Sequence, residues 1–194
     1  MKIQIEPHNP YWKLYFQKEA ARIQKLLTMA NIRAKVAHIG STAVPNLAAK
    51  PTIDILVGLD ANAVLDDCIA AFQKANYIYV SKYNEYLPFR RFFIKIKPVS
   101  PLEKWEKQEI TVDDEMPLRR HYRRDFHVHV VHEADLFFKR HLDFVQHLKN
   151  NDADRAAYER LKLHLANLDW QGENEYAGAK APFITNIMAK LGYA

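Results

Sequence analysis

The chain has 194 residues, of which 48% are hydrophobic, and it carries a formal net charge of +5. That length suits one domain, or one domain with a helical extension, and the apolar share is enough for a core. Glycine is scarce, at 5 residues, which excludes collagen-like and repetitive architectures, and the single Cys68 excludes an intrachain disulfide.

The positive balance favours anionic partners: a nucleotide or a phosphorylated small molecule. Nucleic acid is a weaker fit, because the basic residues are dispersed except around Arg119-Arg120 and Arg123-Arg124. The opening MKIQIEPHNPYWK lacks the apolar run of a signal peptide. No stretch approaches the roughly 20 apolar residues of a membrane span. The expected location is cytoplasmic, with no membrane association.

Asn9-Pro10 reads as a helix start, with Asn as cap and Pro tolerated at the first helical position. Trp12, Phe16, Ile23 and Leu27 then recur at helical spacing, to about Met29. Residues 33–39 read as a strand and 40–50 as a polar loop. Residues 52–59 read as a second strand, apolar on both faces except at Asp54, so it belongs inside a sheet. A helix is expected over 61–75, where Cys68 reads as a buried structural thiol.

Short strands are expected over 77–81 and 90–97. From 98 to 125 the pattern breaks down into a long loop, a kind usually functional or mobile. Residues 126–131 form another strand, with His127 and His129 on one face and Val128 and Val130 on the other. Three apolar stripes follow: Phe137, His141, Phe144 and Leu148; Tyr158, Leu161, Leu165 and Leu168; and Ala177, Ile184, Ile187, Met188 and Leu191. The fold class is α/β (α+β): a mixed sheet with flanking helices in residues 1–135, and a helical segment, 136–194, packed on it.

Two features carry chemistry. Gly40 ends a strand where a missing Cβ lets the backbone turn and an anion approach. Ser41 and Thr42 add hydroxyls there, and the N–H groups of the turn could line a phosphate. The same residues also fit an ordinary strand-ending turn. Asp54 interrupts an apolar strand, and a lone buried carboxylate is costly unless paired or bound to metal. It fits an ion pair with Lys50 or an arginine, or a metal ligand or general base.

The string HIGSTAVPNLAAKPTIDILV, His38 to Val57, resembles the GrpB family, a branch of the nucleotidyltransferase superfamily. The resemblance continues in FHVHVV (Phe126 to Val131), DFVQHLKNN, AAYERLKLHLA (Ala156 to Ala166) and YAGAKAPFITNIMAKL (Tyr176 to Leu191). It implies the nucleotidyltransferase fold but no known reaction. In the superfamily, Ser41 and its N–H would hold a triphosphate. Carboxylates two residues apart on one strand, with a third on a neighbouring strand, would bind metals that neutralise charge during in-line displacement.

This chain departs from that pattern. Asp54 fits the first carboxylate, but position 56 is Leu, and the neighbouring strand offers His127 and His129. A His-X-His pair on a strand puts both rings on one face, about 7 Å apart. The implied cofactor is a divalent metal, Mg²⁺ or a transition metal that prefers imidazole, held by Asp54, His127, His129 and His38. Alternatively, the histidines hydrogen-bond within the sheet or contact a ligand phosphate.

Lys50, just before the Asp54 strand, is the first choice to hold an anion. Arg90 and Arg91 enter a strand near the same sheet, and of the two Arg91 joins the candidate set with Lys180. Each fits a surface charge or simple ion pair as well. Two functions follow as expectations. One is metal-dependent nucleotidyl or phosphoryl transfer from a nucleotide to a small-molecule acceptor, with Asp54 and Ser41 catalytic. The other is a non-catalytic nucleotide- or phosphate-binding module that lost the second carboxylate.

Overall fold

A computed structural model describes residues 2–193. Met1 and Ala194, the outer ends of the two expected segments, lie outside the described residues. The elements are α1 (Tyr11–Met29), β1 (Ala34–Ile39), β2 (Ile53–Leu59), α2 (Ile69–Lys74), β3 (Ile78–Val80), β4 (Arg91–Pro98), β5 (Glu109–Ile110), β6 (Tyr122–His132), α3 (Leu136–Asn150), α4 (Asp152–Ala166), α5 (Glu173–Ala179) and α6 (Ala181–Lys190). The expected mixed α/β architecture is the one found.

The strands form one six-stranded sheet in the order β1-β2-β6-β4-β3-β5. β2 pairs antiparallel with β1 and parallel with β6, so both its edges are covered. Side chains also pack on both its faces, which is why its sequence is apolar on both. On one face Ile53, Ile55 and Val57 pack with Ile23 and Leu27 of α1, Phe72 of α2, and Val128 and Val130. On the other, Leu56 and Val131 pack with Phe138, Val145 and Leu148 of α3 and Tyr158 of α4. Gly58 permits this second layer, because a Cβ there would lie 2.6 Å from the Phe138 ring.

Local chemistry explains most boundaries. The Asn9 carboxamide oxygen accepts from Tyr11 N–H at 2.9 Å, so it caps α1 from one residue further out than the sequence suggests. Asp135 and Asn151 cap α3 and α4 in the same manner.

Three expectations need correction. The helix expected over 61–75 shrinks to α2 plus a 3₁₀ turn, Leu65–Cys68. The acidic Asp66-Asp67 pair sits in that turn, where Asp66 binds Arg91 of β4. The long loop is shorter than expected: it contains β5, and β6 begins at Tyr122 because Arg123 and Arg124 pair with Lys97 and Ile96 across a bulge. The third C-terminal stripe is two helices, α5 and α6, joined at Lys180 with Pro in the first turn of α6.

Candidate anion-binding site

β1 ends at Gly40, whose φ of 69° and ψ of −175° lie in a region essentially reserved for glycine. The chain then makes a single 3₁₀ turn, Ser41–Ala43, over the ends of β1 and β2. Ile39, Asp54 and His127 are neighbours across three strands, so they share a face. Asp54 and the imidazoles of His127 and His129 therefore open on the same side of the sheet, as the alternation predicts. Asp54 Oδ1 lies 3.2 Å from His127 Nδ1.

That face floors a cleft of about 550 Å³. Ser41, Thr42, Lys50, Asp54, His127, His129 and Lys180 from the candidate set line it. Arg90, Arg124 and Lys162 add positive charge, and Glu173 is the one further acid in its wall. Gly40 is not itself in this wall but backs Asp54.

Two candidates are elsewhere. His38 pairs with Ile55, so it faces the α1 side of the sheet. Its ring stacks on Phe16 at 4.6 Å, its Nε2 meets Thr42 Oγ1 at 3.0 Å, and burial pulls its pKa down to about 4. It packs, half-buried, against α1 and not beside Asp54. Arg91 pairs with Val130, which faces away from the cleft, and its guanidinium binds Asp66 and the Pro88 carbonyl. Its neighbour Arg90 takes the cleft position.

Electrostatics in the cleft are asymmetric. Burial works against ionisation of Asp54, but the hydrogen bond from His127 and the nearby positive charge of Lys50 outweigh it and hold the carboxyl low. Burial keeps His127 and His129 neutral, their pKa values falling below the usual imidazole range. His127 Nε2 is buried without a partner among the described residues. Arg90 Nη1 donates to His129 Nδ1 at 3.2 Å, so the neutral His129 ring carries its proton on Nε2.

This pattern tests the metal expectation. A neutral imidazole ligates through a bare nitrogen. His129 has spent its lone pair on an arginine, so its outward nitrogen is a donor. Leu56, two residues beyond Asp54 on the same face, is fully buried under α3. No group of three or more His, Cys, Asp or Glu among the described residues is arranged to hold a metal ion. The donor set does not fit the two-metal carboxylate site.

The cations are built in. Arg119 grips Glu173 at 2.7 and 2.9 Å, while Lys50 at 2.8 Å and Arg124 at 2.9 Å share the same carboxylate. Arg124, 7% exposed, also donates to the Pro117 carbonyl at 2.8 Å, and its Nε is buried and unpartnered. Arg119 and Arg124, from the cluster read as a weak nucleic-acid surface, thus turn inward. Lys162, 2% exposed, donates to the Ala48 carbonyl, and burial pulls it down to about 7. Lys180 rests over the Tyr176 ring at 4.6 Å, and burial followed by the charge of Lys50 pulls it to about 8.

Sequence reasoning missed Lys162 and Glu173. Lys162 had a signal, since it stands four residues after Tyr158 on the buried stripe of α4. Glu173 had none, because its partners are 49 or more residues away in the chain.

The family model described as GrpB protein matches residues 2–190. The chain belongs to the GrpB family. A UPF0157 protein of Halalkalibacterium halodurans is 29% identical over 196 residues, covering 96% of this chain and 86% of that protein. The "Glutamate-rich protein GrpB" of Alkalihalophilus pseudofirmus is 26% identical, covering 95% of this chain and 92% of that protein. The crystal structure of the conserved protein GrpB from Enterococcus faecalis matches with a TM-score of 0.72 at 30% identity, covering 96% of each chain. No described helix of this GrpB protein is long and apolar enough to cross a membrane.

Proposed function

We propose that this GrpB protein binds a phosphate-bearing small molecule, a nucleotide in the first instance, in the cleft above Asp54. One observation carries this reading: Lys50, Arg90, Arg124, Lys162 and Lys180 line a single cleft against only Asp54 and Glu173. Buried like charges repel, so a protein holds them together at a cost in stability. An anionic guest removes that cost. Ser41 and Thr42 line the cleft in the turn after β1, and the motif resemblance to the phosphate-holding turn of nucleotidyltransferases supports that superfamily as the origin of the fold.

The test is calorimetric titration with ATP and with inorganic tripolyphosphate. Binding should weaken about tenfold or more in Lys180→Ala, the loss of one charged hydrogen bond. If neither probe binds the parent, or if the variant binds as the parent does, the reading fails.

A second reading, metal-dependent nucleotidyl or phosphoryl transfer to a small-molecule acceptor, is favoured by Asp54, an ionised carboxylate aimed into the cleft beside the unpartnered His127 Nε2. Leu56 and the Arg90–His129 contact count against it. Release of pyrophosphate from a nucleoside triphosphate with Mg²⁺ or Mn²⁺, abolished in Asp54→Ala, would establish it. Absence of product across a panel of acceptors would leave a binding module.

A further inference from the structure

A second cavity, about 410 Å³, adjoins the cationic cleft. Its walls are the ring-bearing side chains of Phe89, Phe137, His141, Phe144 and Tyr158, with Ile184 and Met188 behind. The two cavities share a partition rather than merely a molecule. Gly40 lines the apolar one and Ser41 the cationic one; Phe89 lines the apolar one and Arg90 the cationic one. His129, in the cationic wall, has its ring 6.2 Å from that of Phe137, in the apolar wall. Asp54 stands at the junction, its carboxylate against the bare Cα of Gly40.

We propose that the apolar cavity is the subsite for the base of a nucleoside phosphate whose phosphates lie among Lys50, Arg90, Arg124 and Lys180. The proposal rests on the anion-binding reading and deepens it by fixing the ligand class and its direction. Three facts support this occupant. The walls of the two compartments are one residue step apart at two separate places in the chain, Gly40/Ser41 and Phe89/Arg90, so the two ends of one extended ligand fall within reach of both. Their characters are complementary to the two ends of a nucleotide, one compartment cationic and one ringed with aromatic faces. Phe137 sits in an aromatic cluster, tilted by 31° to His141 at 3.9 Å and by 54° to Phe89 at 5.7 Å, whose ring faces a flat heterocycle could join.

The ribose would then pass over Gly40, beside Asp54 and His127. Arg140 at the cavity wall supplies a planar cation that can stack on, or donate to, a base edge.

The experiment compares ATP, GTP, CTP and UTP with inorganic tripolyphosphate on the full chain by calorimetry. A base stacked on aromatic side chains adds roughly 5- to 150-fold in affinity. At least one nucleotide should therefore bind about tenfold or more tighter than tripolyphosphate. Ile184→Trp, which fills the cavity, and Phe137→Leu, which keeps the apolar packing but removes the ring, should bring that nucleotide down to the tripolyphosphate level. Tripolyphosphate binding should stay at the parent value in both.

Equal affinity of all five probes for the parent overturns the base subsite and leaves the anion cleft standing. So does nucleotide binding that folded Ile184→Trp retains in full. Failure of tripolyphosphate and nucleotides alike overturns the anion cleft itself. The parent comparison decides even if a variant does not fold.

Discussion

Gly40 and Asp54 fill one space: a Cβ built on Gly40 would stand 2.3 Å from Asp54 Oδ2. The strand-ending turn and the strand carboxylate are thus a single packing unit. The sequence shows them as two separate signals, a Gly-Ser step and an acid in an apolar strand.

Gly40→Ala should therefore cost more than an ordinary glycine substitution. It forces a side chain into positive φ and into the Asp54 carboxylate. The expected destabilisation is about 2 kcal/mol or more, read from urea denaturation midpoints. Gly178→Ala is the control, because a Cβ there meets nothing within 4 Å and the residue lies in α5. It should be neutral or stabilising by roughly 0.5–1 kcal/mol. Similar losses in both variants would show that the Gly40–Asp54 contact is not what constrains the turn.

Glu173 is the counter-charge for Arg119, Arg124 and Lys50, and these cations together hold its carboxyl well below the ordinary 4.5 despite burial. A depressed carboxyl contributes stability above its unfolded pKa and loses it as pH falls through that value toward the folded one. Glu173→Gln should lower stability at pH 7 by about 3 kcal/mol, since it strands buried cations. The difference between parent and variant should shrink steadily below about pH 4.5. The same variant should bind tripolyphosphate more tightly, because its cations are free. Parallel stability–pH curves for the two proteins would remove this account.

What the sequence disclosed follows from range. Alternation within FHVHVV put His127 and His129 on one face, and the apolar run around Asp54 put its strand inside the sheet; both are local patterns. His38 was misplaced because a strand's period says which residues alternate, not which face the neighbouring strand offers. Register decides that: Ile39, not His38, stands beside Asp54. Arg91 failed for the same reason, one step of parity from Arg90. Glu173 was invisible because its role exists only when Lys50, Arg119 and Arg124, from distant parts of the chain, are folded against α5.

Lys180 gives a pH signature for anion binding. Its folded pKa is about 8 against an ordinary 10.5. Between those values the unfolded chain holds a proton that the folded one lacks, so stability attributable to Lys180 rises with pH across that window. An anion in the cleft favours the protonated amine and raises its pKa. Sulfate, whose own charge is constant, should therefore take up a proton on binding near pH 8.5, and its affinity should fall from pH 7 to 9. Calorimetry in buffers of different ionisation enthalpy measures the uptake directly. Lys180→Met should reduce it substantially; uptake unchanged in that variant would assign the proton elsewhere, with Lys162, at about 7, next in order.

Arg90 and Arg91 offer the sharpest test of the cleft, since they are adjacent in sequence and opposed in space. Arg90 stands over the Phe92 ring at 5.2 Å, donates to His129 Nδ1, and keeps Nε buried without a partner. Burial lowers its pKa only to about 10, so it remains a cation at neutral pH. Arg90→Ala removes a desolvated guanidinium from the cleft and frees His129 Nδ1. Tripolyphosphate affinity should drop about tenfold or more, the scale of one lost charge-assisted hydrogen bond. Arg91→Ala removes a pair with Asp66, whose side chain is 56% exposed, on the far face. It should cost at most about 1 kcal/mol of stability and leave the affinity unchanged. The two variants are matched in residue type, net charge and chain position, so a difference between them isolates the face of β4. Equal effects would mean that the anion is drawn by overall charge and not by this cleft.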